Sequence, residues 1–188
     1  MARVYGAIEG GGTKFVCAVA TSPHDIIARV RLDTRTPGFT IPDAIAFIRE
    51  ASHGHDLAAI GVACFGPIEL DEHAAAYGSI TTTVKPRWAH TPIVAPLRDA
   101  FGVPVGFDTD VNGAALGEVR WGAAQGCDPA VYVTVGTGIG GGVIVNGAPL
   151  HGLMHPEIGH LPIPRLQLAD GGLDDFPGVC AYHGGGCF

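Results

Sequence analysis

Two glycine-rich turns are the first segments whose residue types could do chemistry. Residues 9–13 (Glu-Gly-Gly-Gly-Thr) and residues 136–142 (Gly-Thr-Gly-Ile-Gly-Gly-Gly) each lie between runs rich in Val and Ile. Backbone N–H groups of such turns can converge on phosphate oxygens, and the hydroxyls of Thr13 and Thr137 can add donors. A single turn of this kind could equally be a hairpin without a ligand. Two turns at matching places favour phosphate binding.

A pair of carboxylates lies where a predicted strand meets a predicted helix. Asp108 and Asp110 follow the apolar run Val103–Phe107, and α/β sheets place ligand sites at the carboxyl ends of their strands. Near a phosphate cradle, a carboxylate can accept the proton of a hydroxyl that attacks a γ-phosphate. The alternative is that Asp108 or Asp110 only caps the helix.

Four Cys and His residues near the end of the sequence could bind a metal. His160, Cys180, His183 and Cys187 include the spacing Cys-x2-His-x3-Cys, which suits a tetrahedral structural Zn²⁺. The same residues could be incidental in a glycine-rich tail. Glu157 is close enough in sequence to share a site with His160.

The elements that must position these residues read as alternating strands and helices. Strands are predicted at Val4–Ile8, Phe15–Ala20, Ile26–Leu32, Leu57–Phe65, Val103–Phe107, Val131–Val135 and Val143–Val145. The first three form an antiparallel meander, and Leu57–Phe65 is apolar enough to be buried on both faces. The strand-turn-strand layout of the opening recurs after residue 130, which indicates a duplicated α/β architecture.

Three helices are expected between these strands. The first begins near Pro42, and the second has Thr91 as its N-cap and ends at Gly102. The third runs from residue 111 or 112 to Ala124.

Composition limits the function classes. Of 188 residues, 29 are Gly and 14 are Pro, 47% are hydrophobic and 15% are charged, with a net charge of -7. The chain is therefore not disordered, and it has no cluster of basic residues for nucleic acid or an anionic membrane. With no signal peptide and no long apolar span, we expect a cytoplasmic protein. Five cysteines then favour free thiols or metal ligands.

Several of these segments together resemble the ROK family of sugar kinases and regulators, and specifically its fructokinase branch. Residues 8–15 look like the first phosphate motif of the family, with Glu9 where most members carry Asp. Gly66-Pro67-Ile68 resembles its Gly-Pro segment. Residues 81–88 resemble the stretch Thr-Pro-Lys-Pro-Gly-Trp, with Val84 and Arg87 replacing the first proline and the glycine.

The later motifs follow in the order of the family. Asp108–Glu118 resembles its catalytic segment, residues 136–142 its second phosphate motif, and residues 157–160 its sugar-binding signature. Cys180, His183 and Cys187 match its zinc motif. The resemblance implies an α/β actin-like ATPase fold of ribonuclease-H-like topology. Residues 1–117 would form the N-terminal domain and residues 118–188 the beginning of the C-terminal domain.

The resemblance also implies an activity and a set of site residues. The activity is ATP-dependent phosphorylation of the 6-hydroxyl of D-fructose, with Asp110 as general base and Mg²⁺ neutralising phosphate charge. Sugar would be bound by Glu157, His160 and Asn112; ATP phosphates by Gly11, Gly12, Thr13, Lys14, Thr137 and Gly138; and Zn²⁺ by His160, Cys180, His183 and Cys187. Partners are then a sugar and ATP, without nucleic acid or membrane.

Three other functions stay open at this point. A glucokinase or mannokinase of the same family would share the motifs. A family repressor would carry a helix-turn-helix before the first motif, and only eight residues precede Glu9. A third alternative is an inactive remnant, because the sequence stops at Cys187-Phe188 where family members continue with Leu-Glu-Gly and a long remainder. We therefore expect a truncated form with exposed apolar surface, low stability or association as a homodimer.

Overall fold

A computed structural model of the chain describes residues 1–136, 138–152, 155–161, 164 and 167–172. The strands of this part are β1 (Arg3–Gly10), β2 (Lys14–Ser22), β3 (Asp25–Asp33), β4 (Asp56–Cys64), β5 (Ser79–Ile80), β6 (Thr91–Pro92), β7 (Val105–Thr109), β8 (Ala130–Val135), β9 (Ile139–Val145) and β10 (Ala148–Pro149). The helices are α1 (Pro37–Ala51), α2 (Val94–Phe101) and α3 (Asp110–Trp121), and a short 3-10 turn spans Ile158–His160.

The first sheet has the strand order β3-β2-β1-β4-β7. Strands β1, β2 and β3 form the predicted antiparallel meander, whereas β4 pairs in parallel with both β1 and β7. Parallel pairing brings the carboxyl ends of β1, β4 and β7 to one edge of the sheet, next to the first glycine turn. Asp108 and Thr109, at the end of β7, therefore lie beside Ala63 and Cys64, at the end of β4.

The main core lies on one face of this sheet. Alternate residues of β1 and β2 point into it, including Val4, Ile8 and Phe15, and Ile48 of α1 and Leu97 of α2 pack over them. Burial of β4 is strong on this face, where Ile60, Val62 and Cys64 lie, and only partial on the other. The prediction that β4 is buried on both faces was therefore too strong.

Helix starts differ from the predictions for local reasons. Helix α1 begins at Pro37 and contains Pro42 in its interior; proline is tolerated in the first turn, so Pro37 marks the start better than Pro42. Thr91 pairs with Ile80 in a small ladder, so Ile93 and not Thr91 occupies the N-cap of α2. Gly102 ends α2 in a left-handed conformation, with φ 65°, as predicted.

A second sheet has the order β10-β9-β8 and packs against α3. Gly140, Gly141 and Gly142 were predicted to belong to a turn, but they pair with β8 as part of β9. Gly140 and Gly142 approach Val111 of α3 closely, whereas Gly141 approaches Ile158 of the 3-10 turn. On the outer face of β8, Val131, Val133 and Val135 are 59%, 53% and 76% exposed.

Helix α3 connects the two sheets, and the expected domain boundary at residue 117 falls inside it. That boundary remains a prediction. Among the described residues, the helices are too short and too polar to cross a bilayer.

Candidate functional site

A cleft of about 600 Å³ opens where β7 runs into α3. Its walls come from the loop after β4, the loop before β6, the β7–α3 junction, β9 and the segment around the 3-10 turn. The lining residues are Gly66, Pro67, Ile68, Thr82, Thr83, Val84, Thr109, Asp110, Val111, Gly140, His155, Glu157 and His160. Motifs far apart in the sequence therefore share one cavity, among them the predicted general base and two predicted sugar-binding residues.

Asp110 occupies the first position of α3 and is not the cap of the helix. Thr109 is the N-cap: its hydroxyl accepts a hydrogen bond from the N–H of Asn112, at 3.2 Å. The alternative that Asp108 or Asp110 only caps the helix is therefore wrong, because the residue between them has the extended backbone that a cap requires. Because Thr109 caps the helix, the Asp110 carboxylate is not needed for that role, and it lies in the cleft wall.

Burial is the largest influence on the pKa of Asp110, and it raises that pKa above the ordinary value for an aspartate. Hydrogen bonds from backbone N–H groups oppose the shift; the N–H of Val111 donates to Oδ1 of Asp110 at 3.0 Å. The negative charge of Glu9 raises the pKa further. A carboxylate held at a raised pKa is a stronger proton acceptor than an exposed one.

Beneath the cleft, Asp108 joins a buried amide and a histidine. The fully buried Asn112 donates from Nδ2 to Oδ1 of Asp108 at 2.8 Å, and Nε2 of His151 lies 3.0 Å from Oδ2 of the same carboxylate. Asn112 does not line the cleft, whereas Thr109 does. The buried Asn112 therefore holds Asp108 in place, and of these two residues of the junction it is Thr109 that reaches the cleft.

His155 ties the segment that carries Glu157 and His160 to the β7–α3 junction. Its Nδ1 lies 3.5 Å from the hydroxyl of Thr109. Burial lowers the pKa of His155, and the negative charges of Glu157, Asp108 and Asp110 oppose that shift. The imidazole is therefore mostly neutral at neutral pH, and it can accept or donate a hydrogen bond in the cleft.

A glycine sets how closely this segment packs. A Cβ at Gly159 would lie 1.9 Å from the carbonyl oxygen of Ile139 in β9. Any other residue would force the 3-10 turn away from the sheet, so Gly159 fixes the distance of Glu157 and His160 from the second glycine turn.

The first glycine turn lies at the same edge of the sheet. The N–H of Gly11 donates to the carbonyl of Lys14 at 2.8 Å, and the hydroxyl of Thr34 donates to the carbonyl of Gly11 at 2.7 Å. Gly12, Thr13 and Lys14 are exposed. These bonds hold the turn in shape while its outer residues face solvent.

Two of the predicted phosphate and metal groups are only partly described. In the second turn the N–H of Gly136 donates to the carbonyl of Gly138 at 2.9 Å, and Thr137 lies outside the described residues. Of the predicted zinc ligands, His160 lines the cleft, whereas Cys180, His183 and Cys187 lie outside the described residues. Within the part that is described, acidic, His and Cys side chains do not converge as a metal-binding group of three.

Sequence reasoning missed three residues of this neighbourhood. Thr109 was overlooked because it lies between Asp108 and Asp110. A hydroxyl side chain directly before a helix is a signal for the N-cap, and this signal could have identified Thr109. His151 had no spacing that linked it to Asp108. Lys85 donates from Nζ to the carbonyl of Gly12 at 2.5 Å, across 73 positions of sequence.

Known proteins share both the sequence and the fold. The family model described as "ROK family" matches residues 5–188. The fructokinase of Zymomonas mobilis is 49% identical over 185 residues, which cover 97% of this chain and 60% of that enzyme. The fructokinase of Streptococcus mutans is 41% identical over 186 residues, covering 98% of this chain and 61% of that enzyme. The chain thus spans about three fifths of the length of these relatives.

Among solved structures, a ROK family glucokinase from Streptomyces griseus, in complex with glucose and AMPPNP, superposes with a TM-score of 0.72 and 30% identity. The match covers 86% of this chain and 51% of the glucokinase. The predicted fold is thereby confirmed: the chain has the α/β architecture of the actin-like ATPases. With a family model matched over nearly its whole length and relatives at 41% to 49% identity, the chain belongs to the ROK family.

Proposed function

We propose that the chain acts as an ATP-dependent fructokinase, transferring the γ-phosphoryl group of ATP to the 6-hydroxyl of D-fructose. The position of Asp110 carries this proposal. Its carboxylate lies in the wall of the cleft with Glu157 and His160, at a pKa that burial raises. The names of the relatives support fructose as the substrate, since the two fructokinases match almost the whole of this chain.

In this mechanism Asp110 accepts the proton of the 6-hydroxyl as the oxygen attacks the phosphorus, while the β–γ bridging bond of ATP breaks. Glu157 and His160 bind other sugar hydroxyls and orient the acceptor, which removes much of the entropic barrier. The phosphates lie against Gly11, Gly12, Thr13 and Lys14 of the first turn and against Thr137 and Gly138 of the second. Asn112 positions Asp108 and the start of α3 without touching the sugar.

Mg²⁺ would enter with ATP and neutralise phosphate charge. Carboxylate oxygens are the ligands that Mg²⁺ prefers, and Glu9, at the end of β1 beside the first glycine turn, would supply them, which leaves the Asp110 carboxylate as the base.

Zinc is proposed as a structural ion. The donor set of His160, Cys180, His183 and Cys187 fits a tetrahedral site, and zinc there would hold the end of the chain against the sugar site. Elemental analysis of the purified chain tests this: one zinc per chain, lost in Cys180→Ser, is expected. A wild-type chain without zinc contradicts it.

The central experiment mixes this chain with ATP and D-fructose and detects hexose 6-phosphate by mass spectrometry. Asp110→Asn should lower kcat by about 10²- to 10⁴-fold while fructose binding persists, because it removes the base and leaves the cavity shape. Asp99→Asn, on the exposed side of α2, is the matched control. Unchanged turnover in Asp110→Asn would exclude Asp110 as the base.

A glucokinase or mannokinase is the second candidate, favoured by the likeness to the Streptomyces glucokinase. Comparing kcat/KM for fructose, glucose and mannose separates these activities. The third alternative, a remnant that does not bind ATP, is tested by calorimetric titration with ATP in the presence and absence of fructose. Submillimolar binding contradicts it.

The homodimer remains part of the proposal, and the exposed valines of β8 are its physical support. Light scattering on the chain and on Val133→Asp, which places a charge on that face, tests it. Equal masses for the two would exclude β8 as the interface.

A further inference from the structure

We infer that Lys85 is a phosphate-binding residue of this site, holding the ATP phosphates against the first glycine turn. The inference rests on the proposed function and adds to it a residue from a loop outside both glycine turns. Nζ of Lys85 donates to the carbonyl oxygen of Gly12 at 2.5 Å. An ammonium group has three N–H donors, so this bond leaves donors for a phosphate oxygen at the turn.

The loop that carries Lys85 is built to hold it there. Trp88 is fully buried, packs against the rings of Phe15 and Phe65, and donates from Nε1 to the carbonyl of Arg35 at 2.8 Å. The N–H of Trp88 in turn donates to the carbonyl of Lys85 at 3.2 Å. An anchored backbone reduces the entropy that a lysine loses when it binds a phosphate.

The same loop also lines the proposed sugar site. Thr82, Thr83 and Val84 line the cleft, and the N–H of Lys85 donates to the hydroxyl of Thr83 at 3.3 Å. Lys85 therefore lies between the proposed sugar site and the proposed phosphate site, where the transferred group must pass.

The charge distribution points the same way. Lys14 and Lys85 are the two lysines of the whole sequence, which has a net charge of -7, and both lie at the first glycine turn. The side chains that line the cleft include the carboxyl groups of Asp110 and Glu157, and the negative charge of Glu9 acts on Asp110. The negative carboxyl groups repel a polyphosphate that binds at this edge of the sheet. The ammonium group of Lys85 supplies the positive charge that attracts it.

The experiment titrates ATP, ADP and AMP into the wild-type chain and into Lys85→Met by calorimetry. An ammonium that contacts the terminal phosphates should make Lys85→Met bind ATP about tenfold more weakly, with a smaller effect on AMP. Lys85→Arg, which keeps the charge, should recover part of the affinity. Arg87→Met removes a cation from the same exposed loop and should leave all three affinities unchanged.

Each result bears on one of the two ideas. Equal ATP affinity in wild type and Lys85→Met overturns the inference and leaves the proposed function intact. An equal loss of affinity for ATP and AMP also overturns the inference, because Lys85 would then maintain the shape of the site without contacting the terminal phosphates. A wild-type chain that binds neither ATP nor ADP overturns the proposed function and this inference with it.

Discussion

Gly142 is the position where one methyl group should disturb the proposed base most directly. Strand β9 crosses the first turn of α3 there, and a Cβ at residue 142 would lie 2.3 Å from the carbonyl oxygen of Val111 and 2.7 Å from its carbon. The contact must open from 2.3 Å to at least 3.0 Å, a shift of about 0.7 Å. Because the opposing atoms belong to the backbone, a side-chain rotation cannot relieve the clash.

The displaced residue is the neighbour of Asp110 and donates its N–H to that carboxylate. A misplacement of about 1 Å at a reacting group can cost roughly 100-fold in rate, so Gly142→Ala should lower kcat by about 10- to 100-fold. Overpacking of a closely fitted interface should also cost about 1–3 kcal/mol in the free energy of unfolding.

The assay is kcat for ATP-dependent fructose phosphorylation together with urea unfolding of the same variants. Gly106→Ala in β7 is the matched control, because a Cβ there has no described atom within 4 Å. Gly140→Ala should fall between the two, since its Cβ meets a side-chain atom, Cγ1 of Val111, at 3.1 Å and does not meet the backbone of α3. If Gly142→Ala matches Gly106→Ala in kcat and in urea midpoint, the close packing of β9 on α3 is refuted. A loss of stability with unchanged kcat would refute the link from Val111 to Asp110.

Glu9→Gln should move the acid limb of the kcat/KM profile to lower pH, because the charge of Glu9 raises the pKa of Asp110; an unmoved limb contradicts this. Burial lowers the pKa of His155 from 6.5, so the folded chain binds fewer protons than the unfolded one, and its stability should fall as pH drops below about 6.5. His155→Gln should flatten that decline in Tm, and an equally steep decline would exclude His155. Trp88→Phe removes the donor to the carbonyl of Arg35 and should cost about 2 kcal/mol in urea unfolding; a change below about 0.5 kcal/mol would show that the loop is anchored elsewhere.

Elements whose signals are local could be read from the sequence. The three opening strands are short runs rich in Val and Ile, and the turns between them are marked by glycine or proline, so the meander was predicted with ends shifted by one or two residues. Gly102 ends α2 as predicted because a left-handed residue after a helix favours glycine.

Features that depend on pairing could not be read in this way. Thr91 has the residue type of an N-cap, but its backbone pairs with Ile80 in a short antiparallel ladder. Gly140, Gly141 and Gly142 look like a turn, but hydrogen bonds to β8 make them part of a strand. Local propensity is weak compared with a partner strand, and the partner is visible only in three dimensions.

The sequence by itself determined the family and the candidate residues of the site. Motif order along the chain named Asp110, Glu157 and His160, and each lies in the cleft. The tertiary structure decided which residues share that cleft: it placed Thr109 in the wall and Asn112 beneath it. It also brought Lys85 to Gly12 and His151 to Asp108. A motif records spacing along one chain, whereas these contacts arise because parallel strands and one anchored tryptophan bring distant segments to the same edge of a sheet.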